Sequence, residues 1–275
     1  MALSSSSRYR AELPADIGPF KQFLQEYSHI PVEETDSHIC KIRDQAYAIA
    51  PYPGFGLWGF TRIRLLEADP NYHLAVSRLV APGSHDVLLD LGCGLGQNIR
   101  QLASAGVPPA RLCASDLRPE LMELGFELFR DRDVLGGEDE AAAVTFVAGD
   151  VLDPDEAVLS RLDGRVSIVH AANLFHLFGW DAQARIGIRV ARMLRGGGAE
   201  EEEKKKAFVF GRQIGSLQPG AREVHESAAE EKYLHDQNSF QKLWDKVGKE
   251  TGTRWRVEVE MLGKMPPGNQ CEQED

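Results

Sequence analysis

Val87-Leu88-Leu89-Asp90-Leu91-Gly92-Cys93-Gly94-Leu95-Gly96 decides the fold: an apolar run of strand length closes on a carboxylate and turns on three alternate glycines. Glycine tolerates positive φ and leaves room for a ligand against the backbone. The following segment, Gln97 to Ala103, reads as the opening of a helix, whose first amides lack internal acceptors and can receive a ligand. Two later apolar runs also end on aspartate, Leu112 to Asp116 and Val144 to Asp150. Asp116 lies twenty residues beyond Gly96, where a doubly wound sheet brings an acidic side chain over ribose hydroxyls. A dinucleotide fingerprint would have glycine at 97; this chain has Gln97, so the spacing suits an adenosine with a short tail better than a pyrophosphate. Gly92, Cys93, Gly94 and Gly96 then form the binding loop, with Asp90 at its foot. Asp116 and Leu117 form the ribose edge, and Asp150 and Val151 the adenine edge. An ordinary strand-turn-helix with acidic caps explains any one of these ends; it explains three in order poorly.

The flanking pattern agrees. Strands at 86–90, 111–115, 144–148, 166–171 and 207–212 alternate with helices at 97–105, 119–129, 155–161 and 181–194. That alternation predicts an α/β fold with a doubly wound, mostly parallel sheet. Ahead of it, Ile17, Phe20, Phe23, Leu24 and Tyr27 recur at helical spacing, and a second helix carries Ile39, Ile42, Ala46 and Ile49. A short helix is expected from Phe60 to Leu66. Residues 1–80 thus read as a helical cover with a frayed serine-rich start, 81–265 as the α/β domain, and 266–275 as a disordered acidic tail. Gly196 to Lys206, dense in glycine, glutamate and lysine, reads as a flexible insert. Late in the chain, Ser239 to Val247 predicts an amphipathic helix, and the alternation of Trp255 to Met261 predicts a final strand.

Composition excludes several classes. A net charge of -11 argues against an electrostatic grip on nucleic acid. The start has no apolar signal core, and no apolar run reaches the length of a membrane span. Cys40, Cys93, Cys113 and Cys271 show neither metal spacing nor a disulfide framework. A cytoplasmic protein without metal is expected; its oligomeric state stays open, a homodimer included.

Asp90-x-Gly-x-Gly-x-Gly, Asp116-Leu117, Asp150-Val151 and the strand Val166 to Asn173 resemble, in order, the motifs of class I S-adenosylmethionine-dependent methyltransferases. A narrower resemblance runs through most of the chain. Gln22-Phe23-Leu24-x-x-Tyr27-Ser28-x-Ile30-Pro31, Phe129-Arg130-Asp131-Arg132-Asp133, Phe175-His176-Leu177-Phe178-x-Trp180 and Phe210-Gly211-Arg212-Gln213 are similar to methyltransferases of fungal meroterpenoid pathways. The resemblance implies a Rossmann-like methyltransferase fold with S-adenosyl-L-methionine as donor and S-adenosyl-L-homocysteine as product. It also implies methylation of an oxygen, a carboxylate or phenol, on a polyketide-terpenoid metabolite.

Methyl transfer from a sulfonium is an in-line displacement, and holding the nucleophile about 3 Å from the methyl carbon can supply roughly 7–11 kcal/mol of the barrier. That point lies beyond the carboxyl ends of the strands. Asn173, also a donor contact, and His176 are therefore the candidates nearest the transferred methyl. His176 is a general base or, on the reading preferred here, a hydrogen-bonded part of the pocket wall. A carboxylate acceptor, with a pKa near 4, needs no base at pH 7. Arg212, with Gln213, could face the carboxylate of acceptor or donor. Tyr52, Phe55 and Trp58, with Phe60, form an aromatic cluster suited to an apolar small-molecule acceptor. Arg43 and Asp44 read as an internal ion pair; His225 and His235 fall in polar segments expected to be exposed. Two alternatives remain: a fold repurposed as a cyclase or isomerase, and a noncatalytic partner subunit.

Overall fold

The computed structural model describes residues 8–137, 142–153, 157–196, 206–222 and 231–263. The expected insert (save Gly196 and Lys206), the acidic tail, His225 and Cys271 lie outside them, as do the first seven residues.

The cover opens with α1 (Gly18–Ser28) and α2 (Val32–Ile49), as the apolar spacing predicts. Two short turns of helix follow, α3 (Pro53–Gly56) and α4 (Arg64–Glu67), then α5 (Pro70–Val80). The helix expected from Phe60 to Leu66 is split between a 3-10 turn at Gly59–Thr61 and α4. The Asp69-Pro70 pair starts α5: the Asp69 side chain accepts the Asn71 amide, and proline occupies a position whose own amide would have no partner.

The sheet comprises β1 (Leu88–Leu91), β2 (Leu112–Asp116), β3 (Thr145–Ala148), β4 (Ile168–His170) and β5 (Phe208–Phe210), in the order β3-β2-β1-β4-β5. All four pairings are parallel, with Leu88 beside both Leu112 and Ile168. Chain order reverses at β1, so a switch-point crevice opens between the carboxyl ends of β1 and β4. β1 is central and wholly buried. Its side chains divide by the strand period of two. Leu89 and Leu91 pack with Ile186, Val190 and Met193 of α9 (Trp180–Met193) and with Leu243 and Val247 of α10 (Gln237–Thr251). Leu88 joins Tyr72, Ala75 and Leu79 of α5 and Ile99 and Leu102 of α6 (Gln97–Ser104) on the other face. Between β2 and β3 run α7 (Pro119–Phe129) and the short α8 (Arg132–Leu135). Leu121, Leu124, Leu128 and Phe129 of α7 share a third cluster with Phe20, Leu24, Ile39 and Ile42, which seats the cover on the α/β domain.

Two expected elements are corrected. Residues 255–261 do not form a strand: Trp255 and Val257 pack on the α9–α10 core while Arg256 and Glu258 are exposed, so the alternation is real but unpaired. The Gln241 side chain replaces the ladder, donating to the Trp255 carbonyl at 3.0 Å and accepting the Val257 amide at 2.8 Å. The helix expected at 155–161 is, in the described part, a 3-10 turn at Leu159–Leu162. An antiparallel ribbon, β6 (Gly220–Arg222) with β7 (Lys232–Leu234), was not expected. His235, just after it, is half-buried rather than exposed, bonded to Ser239 Oγ at 3.0 Å and Gln183 Oε1 at 3.1 Å. Burial pushes its pKa down to about 4. No helix among the described residues is long and apolar enough to cross a membrane.

Candidate functional site

The glycine loop needs its glycines. Gly92, Gly94 and Gly96 have φ of 76°, 55° and 69°, where a side chain is strained. Backbone bonds set the loop's path: the amides of Gly92 and Cys93 both donate to the Ser115 carbonyl, at 2.8 and 3.0 Å. The Gly94 amide donates to Asp116 Oδ2 at 2.8 Å, and Asp116 Oδ1 accepts the Arg118 amide at 3.0 Å. Asp116 thus ties the β2 end to the loop. Burial raises its pKa against the opposing pull of those amides. Below the loop, buried Asp90 is bonded through Oδ1 to His170 Nδ1 at 2.7 Å and accepts Asn98 Nδ2 at 3.3 Å. Asp150 is exposed and makes a tight turn after β3, accepting the Leu152 amide at 2.8 Å; Val151 is half-buried and Leu117 exposed. The Cys93 thiol is buried with its pKa pushed well up by burial, so it is inert as a nucleophile.

A second constellation forms where β4 and β5 end. Gly211 (φ 153°) lies so close to β4 that a Cβ there would meet the Ala171 carbonyl oxygen at 2.2 Å. Asn173, at φ 56°, donates its amide to the Arg212 carbonyl at 2.6 Å. Gln213 then fastens the two ends. Its Nε2 donates to the Ala171 carbonyl at 2.7 Å, so Oε1 is the acceptor, taking the Leu174 amide at 3.2 Å and His176 Nδ1 at 3.2 Å. An amide oxygen can only accept, so Nδ1 of His176 carries the proton and Nε2 the lone pair. Burial lowers the His176 pKa and keeps the ring neutral. Residue order alone gave no sign of this Gln213 clamp.

The cover reaches the loop through Phe55: a Cβ built on Gly94 would have Phe55 Cζ as its neighbour at 3.7 Å. Phe55 and Trp58 are buried among Phe20 and Phe60, while Tyr52 is exposed beside Phe55 with ring centroids 6.2 Å apart. Trp58 also walls a cavity of about 780 Å³ with Leu13, Leu57, Arg62 and other residues of the segment 10–16. Its Nε1 donates to the Arg10 carbonyl at 3.0 Å, pinning that segment over the cover. Arg43 pairs with Asp44 at 2.6 Å, as expected, and stacks between Tyr9 and Trp58.

The glycine-rich loop and the Asp116 carboxylate suit an adenosine-bearing donor. The Oε1 of Gln97, buried at the first residue of α6 with no hydrogen-bond partner among the described residues, is a further polar group suited to a ligand. No group of acidic, histidine or cysteine side chains among the described residues could hold a metal ion.

Residues 8–61 match the family model for the meroterpenoid methyltransferase N-terminal domain, and residues 88–198 that for the methyltransferase domain. The chain is 35% identical over 255 residues to O-methyltransferase phiE of Fungal sp. (strain ATCC 74256), covering 92% of this chain and 79% of that protein. It is 34% identical to O-methyltransferase atr3 of Stereocaulon alpinum, covering 90% and 67%. It is 32% identical to the asnovolin E/chermesin D methyltransferase nvfJ of Aspergillus novofumigatus (strain IBT 16806), covering 87% and 80%.

Proposed function

Since the chain belongs to the S-adenosylmethionine-dependent methyltransferases that carry the meroterpenoid methyltransferase N-terminal domain, we propose that it methylates an oxygen, a carboxylate or phenol, on an apolar fungal secondary metabolite. Two relatives bear the name O-methyltransferase, and a third is named for asnovolin E and chermesin D. The observation that carries the reading is the bond from the Gly94 amide to Asp116 at 2.8 Å, which ties the glycine loop to the end of β2.

When bound, S-adenosylmethionine supplies an electrophilic methyl group on its sulfonium. The chain's own residues position and enclose. Gly92, Cys93, Gly94 and Gly96 give the donor's tail a backbone surface, with Asp90 bracing it from below. The Asp116 carboxylate accepts the ribose hydroxyls, with Leu117 beside them; Asp150 and the Val151 amide receive the adenine. Asn173, held by Arg212, closes the donor pocket beside the methyl. Tyr52, Phe55 and Trp58 shape the acceptor side and exclude water.

His176 is a wall residue in this account, clamped by Gln213 and neutral above its lowered pKa. A carboxylate acceptor is ionised throughout pH 6–9, so no step needs a proton acceptor there. Methylation of an acid by His176→Ala should therefore stay flat across that range, with kcat reduced by about tenfold at most. A loss of several orders of magnitude, with a new acid limb in the wild-type profile, would make His176 the base and the acceptor a weaker acid.

A further inference from the structure

The segment after α10 uses one of its two edges. Its side chains alternate: Trp255 and Val257 pack on the α9–α10 core and Val259 is half-buried, whereas Arg254, Arg256, Glu258 and Glu260 are exposed. The Gln241 amide spans the Trp255 carbonyl and the Val257 amide, as a residue of a parallel neighbour would. Along an extended chain the main-chain groups of successive residues point to opposite edges. Those of Trp255 and Val257 therefore face Gln241, and those of Arg254, Arg256, Glu258 and Glu260 face the other way. The amides and carbonyls of Glu258 and Glu260 have no hydrogen bond among the described residues. Such an open row is a template for another strand.

The side chains along that edge are their own complement. Laid antiparallel to a copy of itself about Val257, the segment sets Arg254 against Glu260 and Arg256 against Glu258, each twice by symmetry, with Trp255 against Val259 on the inner face. This register also obeys the ladder. The two charged pairs fall at hydrogen-bonded positions, whose main-chain groups face the open edge, and Val257 meets its copy at a position that exchanges none. A slip of two residues sets Arg256 against Arg256 or Glu258 against Glu258, and in-register parallel pairing sets every charge against its like. Within one chain, Arg256 and Glu258 lie 3.1 Å apart with side chains 75% and 78% exposed, so their ion pair stands in solvent beside the place a second would take.

We propose that residues 254–260 are the contact of a two-fold homodimer, paired antiparallel about Val257. A two-fold contact requires one patch to complement itself, which this edge does. The strands alone fall short of a standard interface of about 1,600 Å², so the dimer is a reversible one. Apolar area comes from the end of the segment, where Met261 and Leu262 are exposed and Met261 lies against Gly215, next to exposed Ile214. The proposal is independent of the methyl-transfer reading.

The test is sedimentation velocity of the full chain over a concentration series at about 0.15 M salt. There the repulsion between two chains of charge -11 is screened beyond about 8 Å. The wild type should pass reversibly from monomer to dimer in roughly the micromolar range. Arg256→Glu and Glu258→Arg each set like charges opposite one another at two places, and each should weaken dimerisation about tenfold or more. An equimolar mixture of the two variants should dimerise again, because both pairs between them are then opposite in charge. Diluted to monomers, wild type and variants should melt within about 2 °C of one another, since an exposed ion pair contributes little. A wild type that stays monomeric up to about 100 μM overturns the dimer. So does a dimer that neither reversal weakens, which would place the contact on another face. Two weakened variants that mixing does not restore would overturn the antiparallel register.

Discussion

Asp131→Ala is expected to cost about 3–5 kcal/mol, because it strands a charge in the core. Arg100 is fully buried; its Nε and Nη2 donate to the two oxygens of Asp131 at 2.8 and 2.9 Å. Its Nη1 reaches the Leu95 and Gly96 carbonyls at 3.3 and 3.4 Å, so the same guanidinium supports the glycine loop. From the cover, the Tyr27 hydroxyl donates to Asp131 at 3.0 Å, and burial, then the Asp131 charge, pushes that phenol's pKa up. Tyr27, Asp131 and Arg100 thus join the cover to the glycine loop. At about 2–4 °C per kcal/mol for a chain this size, the melting temperature should fall by roughly 10 °C, with donor affinity falling too. Arg100→Met/Asp131→Leu should lose much less, because no charge is left unanswered. A drop within about 2 °C for Asp131→Ala would show that water reaches Arg100 and that the ion pair is not a joint.

Gly125→Ala is expected to damage donor binding from a position that touches no donor. In the middle of α7, alanine is favoured over glycine by about 1 kcal/mol on helix propensity alone. The new Cβ, however, would stand 2.3 Å from the Leu95 carbonyl oxygen, a backbone atom of the loop that no side-chain rotation can move aside. Overpacking of that kind costs typically about 1–3 kcal/mol, so the clash outweighs the propensity. Helix or loop must shift, and a displacement near 1 Å at a positioning element can cost about a hundredfold in rate. The variant should melt lower and bind S-adenosylhomocysteine at least about tenfold more weakly, read by thermal melts and calorimetry. A variant more stable than wild type with unchanged affinity would mean the loop is soft and the Gly125 contact idle.

What could be read from the sequence was local. The runs ending on Asp90, Asp116 and Asp150 carry their own turn chemistry, and α7 begins at Pro119 as read because proline suits a first helical turn. Tertiary partners decided the rest. Alternation at Trp255 to Met261 correctly gave which side chains turn inward, but not whether a neighbouring backbone would pair; the Gln241 amide took that place. The strands β6 and β7 are three residues each, too short to show a period. Arg100 and Asp131 look like surface charges until the fold brings them together.

Methyl transfer as proposed requires donor binding at the glycine loop and Asp116. Calorimetric titration of wild type and Asp116→Ala with S-adenosylhomocysteine tests it most directly, with melting curves as a check on folding. The wild type should bind one equivalent, and at a hundred times the dissociation constant should gain about 2.7 kcal/mol of stability. The variant, short of the ribose contact and of the Gly94 tie, should bind at least about tenfold more weakly while remaining folded. Equal affinity in both proteins would contradict the assignment of Asp116, and absence of binding in the wild type would contradict the site as a whole.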